Sequence, residues 1–505
     1  MSTHFQIAVV GSGFAGIGAA IRLKQAGFHD FVVLERADAV GGTWRDNTYP
    51  GCACDVESHL YSFSFAPNPH WSRLFSPQTE LHAYLDDCAR RFGVVPHIRF
   101  GHQVLSSTWL EDSQCWRLET TRGAFTADVL VAGSGALSEP STPRLPGLNS
   151  FAGKVFHSAR WDHTHPLNGK RVAVIGTGAS AIQFVPAIQP QVAQLTLFQR
   201  TPAWVVPRFD RAVSAREQRV FAALPIAQKL VRLGTYLRRE TFVVGFRAPP
   251  IMRVVERYAL RYLERTVKDP VLRQKLTPSF RMGCKRILIS SDYLPALTQP
   301  NVQVVTDGIR EVRPQGVVTH DGVEHAADTI IFGTGFQVAG HPSAHITRGR
   351  SGRTLAEAWQ GSPKAYLGTM TVGFPNLFLL TGPNTGLGHN SMLLMIESQL
   401  NLLVGALEHM RDQRVSALEP RPELQASYVA ELDRKLASTV WNKGGCASWY
   451  LDETGRNSTL WPGFTLAFRR RARFRAAEYL SQPAPARKRM APVSAPGSSP
   501  RLEAP

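Results

Sequence analysis

Cysteine is scarce in this chain of 505 residues, and long apolar runs are missing. Cys52, Cys54, Cys88, Cys115, Cys284 and Cys446 stand at irregular spacings that fit neither a disulfide framework nor a paired metal-ligand motif, so most are expected to be reduced packing residues and no bound metal is expected. No apolar stretch approaches the roughly 18 residues that cross a bilayer. The opening MSTHFQIAVVGSG enters a strand without the basic and apolar regions of an export signal, which gives a cytoplasmic reading. An apolar fraction of 43% in a chain of this length suits two or three globular domains with buried cores.

Acidic residues are also few, 39 against 57 Lys and Arg, and the shortage is local. Between Arg211 and Arg286 there are 18 basic and 5 acidic residues, so this segment carries +13 of the chain's net +18. Such a concentration can face an anionic cofactor, an anionic membrane surface or an acidic partner; the plain alternative is an arginine-rich solvated helical face. Groove-reading and base-stacking motifs are absent, which argues against nucleic acid.

What the sequence does contain is a repeated nucleotide-binding plan. FQIAVV, then GSGFAGIGAAIRLKQAG, then FVVL reads as strand, helix, strand, with Gly11, Gly13 and Gly16 forming GxGxxG at the first turn. Bare backbone there lets a pyrophosphate approach the helix N-terminus. RVAVIGTGASAIQFVPAIQP and LTLFQRTP repeat the plan, with Gly176, Gly178 and Ala181 as GxGxxA. Glu35 and Arg200 each follow the first glycine of their motif by 24 residues. A carboxylate at the end of the second strand accepts hydrogen bonds from ribose hydroxyls and repels a 2′-phosphate, whereas arginine grips that phosphate. The first site is therefore expected to hold a nucleotide with free ribose hydroxyls and the second NADPH, the alternative for Arg200 being a solvated loop cation.

ADVLVAGSG (Ala127 to Gly135) and ADTIIFGTG (Ala327 to Gly335) extend the repeat, each placing a glycine five residues after its aspartate. The predicted architecture is α/β, with two Rossmann-like dinucleotide-binding domains. The first takes residues 1–150 and, after the chain returns through NLFLLTGPN, 336–482; the second takes 151–335 and carries a helical insertion at 211–285. FAGKVFHSARW (Phe151 to Trp161) is the junction between them. Helix is expected from about Met392, and residues 483–505, rich in Pro, Ala and Ser, read as a disordered tail.

Several of these segments, in order, carry a family resemblance: GxGxxG with Glu35, GGTW (Gly41 to Trp44), YPGCACDVES (Tyr49 to Ser58), the junction FxGxxxHxxxW, the second motif with FQRTP, and GCKR (Gly283 to Arg286). Together they resemble a type I Baeyer-Villiger monooxygenase. The junction is the most specific, because the related flavin-containing monooxygenases usually have a smaller aromatic where Trp161 stands. The resemblance implies FAD in the first domain, contacted by Gly42, Thr43, Trp44, Asp55 and Tyr61. It also implies NADPH in the second, with Arg200, Thr201 and Lys285 on the 2′-phosphate. The implied reaction forms a peroxyflavin from dioxygen and inserts one oxygen atom beside a ketone carbonyl, giving an ester or lactone. Arg286 is the implied catalytic cation and Asp55 its orienting carboxylate; His157 and Trp161 are implied to serve conformational control.

Each residue also has a plainer reading: Asp55 as a turn residue, Trp44 as core, His157 as packing. The rival activities are oxygenation of a heteroatom or hydroxylation by the same cofactors, and reduction of a thiol or quinone. The last wants a redox cysteine pair, and Cys52-Ala-Cys54 has one intervening residue instead of two. Of two later stretches, Gly382 to Ser391 reads either as a loop aiming a helix N-terminus at the flavin or as an ordinary loop, and Trp441 to Gly463 is expected over the substrate or cofactor cleft, the latter departing from the better-known cyclic-ketone enzymes and leaving the substrate open. Substrate and dioxygen are the expected small-molecule partners, the substrate being a lipophilic ketone if the basic insertion rests on a membrane.

Overall fold

Short apolar runs bounded by glycine form the centres of two separate sheets. The computed structural model describes residues 3–338 and 342–483. In the first sheet Thr3–Val10 lies between Phe31–Leu34 and Gly123–Ala132, parallel to both. Ile7, Ala8 and Val9 are fully buried, since helices or loops cover both faces of such a strand. Cys115–Thr120, Val104–Leu110 and Thr347–Arg348 continue the sheet beyond Gly123–Ala132, and Ile98–Arg99 ends it on the other side. Leu377–Leu379 adds in parallel to Gly123–Ala132, so the chain does return to the first unit through NLFLLTGPN.

The second sheet has five parallel strands in the order Val302–Val305, Gln194–Phe198, Arg171–Ile175, Thr329–Phe332, Lys154–His157. Its edge strand is part of the junction, with His157 opposite Phe332. The segment that fits neither glycine motif thus becomes the border strand of the second sheet.

Both units close their turns in the same way. Gly11 has φ +93°, and a Cβ there would lie 2.9 Å from the oxygen of Gly133; Gly176 has φ +111°, and its Cβ would lie 2.4 Å from the oxygen of Gly333. Gly133 and Gly333 are the glycines five residues after the paired aspartates, so the returning strand in each unit leaves room only for bare backbone at the turn.

The expected insertion is helical: Ala215–Ala223, Pro225–Arg247, Pro249–Thr266 and Pro270–Leu276. Helix Met392–Gln413 starts where expected, capped by Ser391. Among the described residues no helix is long and apolar enough to cross a membrane. Tyr479–Pro483 pairs with Val415–Pro420, so Pro483 belongs to a strand; residues 484–505 of the expected tail lie outside the described residues.

Candidate active site

The two nucleotide cradles start from the same turn and diverge at the end of the next strand. In the first, the N-terminus of helix Phe14–Gln25 follows Gly13, and a Cβ on Gly42 would lie 3.0 Å from the Gly13 Cα. Backbone therefore faces backbone beside the turn, and Thr43–Asp46 forms a short helix from Gly42 onward. Trp44 is buried, and its Nε1 donates to the Tyr61 hydroxyl at 3.3 Å.

Glu35, 4% exposed, accepts from Ser12 N and Oγ at 2.8 and 2.7 Å, from Ala37 N at 2.9 Å and from Arg45 Nη1 at 3.1 Å. Burial pushes its carboxyl up, but the Ser12 hydroxyl, the Ala37 amide and Arg45 together hold it below the usual range. It is a fixed carboxylate, an acceptor only, which suits ribose hydroxyls and excludes a phosphate. Two of its donors, Ser12 Oγ and Arg45, are side chains able to give way to a ribose. Neither stands out in the sequence, although Ser12 lies inside the first glycine motif and Arg45 directly follows GGTW.

In the second cradle, helix Ala181–Ile188 begins at Ala181, after Gly176 and Gly178. Arg200 is exposed just beyond strand Gln194–Phe198, and Thr201 accepts from Thr177 Oγ1 at 3.2 Å through its backbone oxygen. Lys285 lies with its Nζ 5.2 Å from the Phe280 ring centre. Burial and then the neighbouring Arg200 charge push its ammonium below the usual range. Among the described residues neither cation has a carboxylate partner. Two unpaired like charges near each other fit a dianionic phosphate, which would relieve their repulsion.

Between the cradles, Asp55 meets Arg286. Arg286 Nε donates to Asp55 Oδ2 at 2.8 Å and Nη2 donates to the same oxygen. The side chains are 33% and 29% exposed, so the pair is fixed yet reachable. Asp55 raises the guanidinium pKa against burial. Burial pushes the Asp55 carboxyl up, but Arg286 pulls it below the ordinary range. Both groups are therefore charged across the neutral range. Arg239 of the insertion donates from Nη2 to the Asp55 carbonyl at 3.0 Å and pairs with Glu57. Tyr450 is buried, and burial pushes its hydroxyl up to about 12 while Arg286 draws it down. It is a neutral hydrogen-bond donor within the reach of the Arg286 charge.

The loop carrying Lys285 and Arg286 is clasped by the C-terminal segment. Cys284 and Cys446 form a disulfide across 162 residues, with 6.2 Å between their Cα atoms. Four of the six cysteines are free, as expected of most of them, but this pair departs from the expectation of no disulfide framework: the partners are brought together by tertiary packing, and Gly444 makes room, since a Cβ there would lie 2.4 Å from that of Cys284. The segment Trp441 to Gly463 thus brings Cys446 to Cys284 and Tyr450 close to Arg286. The other four thiols are free and buried, and burial pushes Cys52 up to about 12 and Cys54 higher still. Protonated, inert thiols do not serve a dithiol reductase.

His157 is buried; its Nδ1 accepts from Ala159 N at 3.0 Å, and burial pushes the ring down to about 4. Trp161 packs edge-on to Phe156 and lines a cleft with Arg36, Arg45, Asp46 and Thr48 of the first unit. The junction thus touches both units. The end of the loop Gly382 to Ser391 is tied down: Asn390 donates to Glu240 at 2.8 Å, and Ser391 Oγ accepts from Leu393 N at 3.3 Å.

Residues 8–231 match the pyridine nucleotide-disulphide oxidoreductase family. A Baeyer-Villiger monooxygenase of Streptomyces coelicolor is 54% identical over 490 residues, covering 96% of this chain and 94% of that one. Another, of Pseudomonas aeruginosa, is 51% identical and covers 94% and 91%. Among solved structures, cyclohexanone monooxygenase from Rhodococcus sp. Phi1 bound to NADP+ superposes with TM-score 0.86 at 29% identity, over 96% of this chain and all of that one. Oxidized steroid monooxygenase bound to NADP gives 0.85 at 31%, over 95% and 100%. Identity above half along nearly the whole length, with an arginine–aspartate pair set between two unlike nucleotide cradles, leaves one conclusion: the chain belongs to the Baeyer-Villiger monooxygenases.

Proposed function

We propose that the chain binds FAD in its first unit and NADPH in its second, and inserts one atom of dioxygen beside the carbonyl of a lipophilic ketone to give an ester or lactone. The domain limits that go with this are 1–150 and 336–482 for FAD and 151–335 for NADPH. The observation that carries the reading is the Asp55–Arg286 pair, a charged, reachable guanidinium held between the units. FAD, reduced by NADPH, supplies the activated oxygen.

The remaining work belongs to the chain. Glu35 holds the ribose of one nucleotide, while Arg200, Thr201 and Lys285 hold the 2′-phosphate of the other. Arg286 stabilises negative charge as it develops on the substrate carbonyl oxygen, and a fixed cation does this without reorganising at the moment of reaction. Asp55 aims the guanidinium and keeps it from turning into solvent. Tyr450, close enough to feel the Arg286 charge, offers a neutral donor, and the segment bound through Cys446 keeps water from the cleft. The protein works in the cytoplasm, with its basic insertion in peripheral contact with a membrane.

Purified holoenzyme mixed with NADPH, air and a panel of linear, cyclic and aromatic ketones beside thioethers tests the reading. Esters or lactones are expected; sulfoxides alone across the panel would move the chain to heteroatom oxygenation.

A further inference from the structure

Helix Pro225–Arg247 is built inside out. A surface helix ordinarily turns its apolar stripe to the core and its charges to water. From Gln228 to Glu240 the inward face is polar, and only the last turns bury apolar side chains, Val243 and Phe246. Gln228 donates to the Asn68 carbonyl at 2.6 Å, Arg232 to that of His59 at 2.7 Å and Arg239 to that of Asp55 at 3.0 Å, while Glu240 accepts from Thr465 Oγ1 at 2.6 Å. The outward face carries Ile226, Leu230, Leu233, Leu237 and Val244 in one row at helical spacing, each between 41% and 60% exposed.

The next helix, Pro249–Thr266, adds Ile251, Val254, Val255 and Tyr258, all exposed and again on one face. Of the 22 large apolar side chains exposed among the described residues, 13 lie between Val220 and Tyr258. Scattered exposed apolar groups are ordinary; a concentration of this kind marks a surface that something covers. Phe464 and Leu466, also exposed, flank the Thr465 bound to Glu240 and extend the patch beside the first of these helices.

Charge decides what the cover is. Lys229, Arg247, Arg253, Arg257, Arg261 and Arg265 are exposed on the two helices, and Glu264 is the one exposed acid there. A second copy seated face to face would oppose these cations with their own kind. A plane of anionic headgroups over acyl chains complements both the apolar rows and the cations beside them. We propose that the outward face of Pro225–Arg247 and Pro249–Thr266 docks the protein on an anionic lipid surface, with the apolar rows entering the headgroup boundary. This deepens the peripheral contact proposed above and rests on it. The docked helix is also the one that holds the Asp55 carbonyl through Arg239, so the lipid surface lies one helix away from the catalytic pair.

Flotation of the full-length holoenzyme with vesicles of phosphatidylglycerol and phosphatidylcholine, against phosphatidylcholine alone, tests this without NADPH or ketone. Binding to the anionic vesicles should be about tenfold tighter or more, and should weaken as salt is raised to about 0.5 M. Leu230→Gln with Leu237→Gln should lose it by a similar factor while flavin content and turnover of a water-soluble ketone stay unchanged. Arg257→Gln with Arg261→Gln should weaken it less. Absence of binding at low salt overturns the proposal, as does binding that ignores the leucine substitutions. A drop in sedimenting mass in the leucine variant, without vesicle binding in the parent, would assign the face to self-association. Capture of an acidic protein without vesicle binding would likewise replace lipid with that partner. None of these outcomes bears on oxygen insertion, which the ketone panel reads separately.

Discussion

The two nucleotide cradles share a turn, a helix start and a returning glycine, yet they finish differently. Glu35 is buried under four hydrogen bonds and completed by its own chain, whereas Arg200 stands exposed near Lys285, neither with a carboxylate partner among the described residues. A preorganised, closed acceptor suits a cofactor that stays. An open pair of cations suits one that arrives, reacts and leaves, because a bound phosphate offsets the mutual repulsion of Arg200 and Lys285. On the proposed reading the shared fold supplies the pyrophosphate contacts, and one residue at the same offset sets which nucleotide each unit takes.

That division can be broken at several points. The largest effect is expected between the units. Arg286→Ala should cut ester formation by about 100-fold to 1000-fold, the scale of losing one charge-stabilising donor, while anaerobic flavin reduction by NADPH changes by no more than about threefold. Full oxygenation in that variant would remove the guanidinium from the chemistry. Glu35→Ala opens the closed cradle and should weaken FAD binding by about 10-fold to 100-fold, read as flavin lost on gel filtration. Retention of full flavin would show that Glu35 is only a structural carboxylate.

A smaller change is expected in the open cradle: Arg200→Ala should raise the KM for NADPH by about tenfold and leave that for NADH nearly unaltered. The smallest lies at the junction, where Trp161→Phe or His157→Gln should alter coupling, measured as hydrogen peroxide released per NADPH, by about two-fold to five-fold with flavin content intact. Because burial pushes the His157 ring down to about 4, below its ordinary 6.5, the neutral ring is favoured in the folded protein and its charging is confined to acid. Coupling should therefore be flat from pH 6 to 9. A step near pH 6.5 that His157→Gln abolishes would instead show a ring that titrates in its working state.

Local patterns announced the cradles. The glycine spacing, the offset of Glu35 and Arg200, and the glycines after the paired aspartates all express contacts made within one strand–helix–strand unit, which short windows of sequence record. The Asp55–Arg286 pair spans 231 residues and was legible only through the family resemblance. Cys284–Cys446 is a contact of the same long-range kind and escaped altogether. Arg239 and Tyr450 sit in runs already marked as important and Arg45 directly follows one, but nothing in their spacing says which carboxylate or cation they meet. The insertion's charge could be counted, whereas the side on which its apolar residues face appears only when exposure is known. Composition is blind to a helix that hides its polar groups.

The comparison of the two cradles is tested most directly by anaerobic stopped-flow reduction of the wild-type flavin with NADPH and with NADH. The account predicts a ratio of kred/Kd of about 100 or more in favour of NADPH, the worth of a charge-assisted grip on the 2′-phosphate. Equal values for the two nucleotides would contradict it, because the open cations at Arg200 and Lys285 would then hold nothing that distinguishes them.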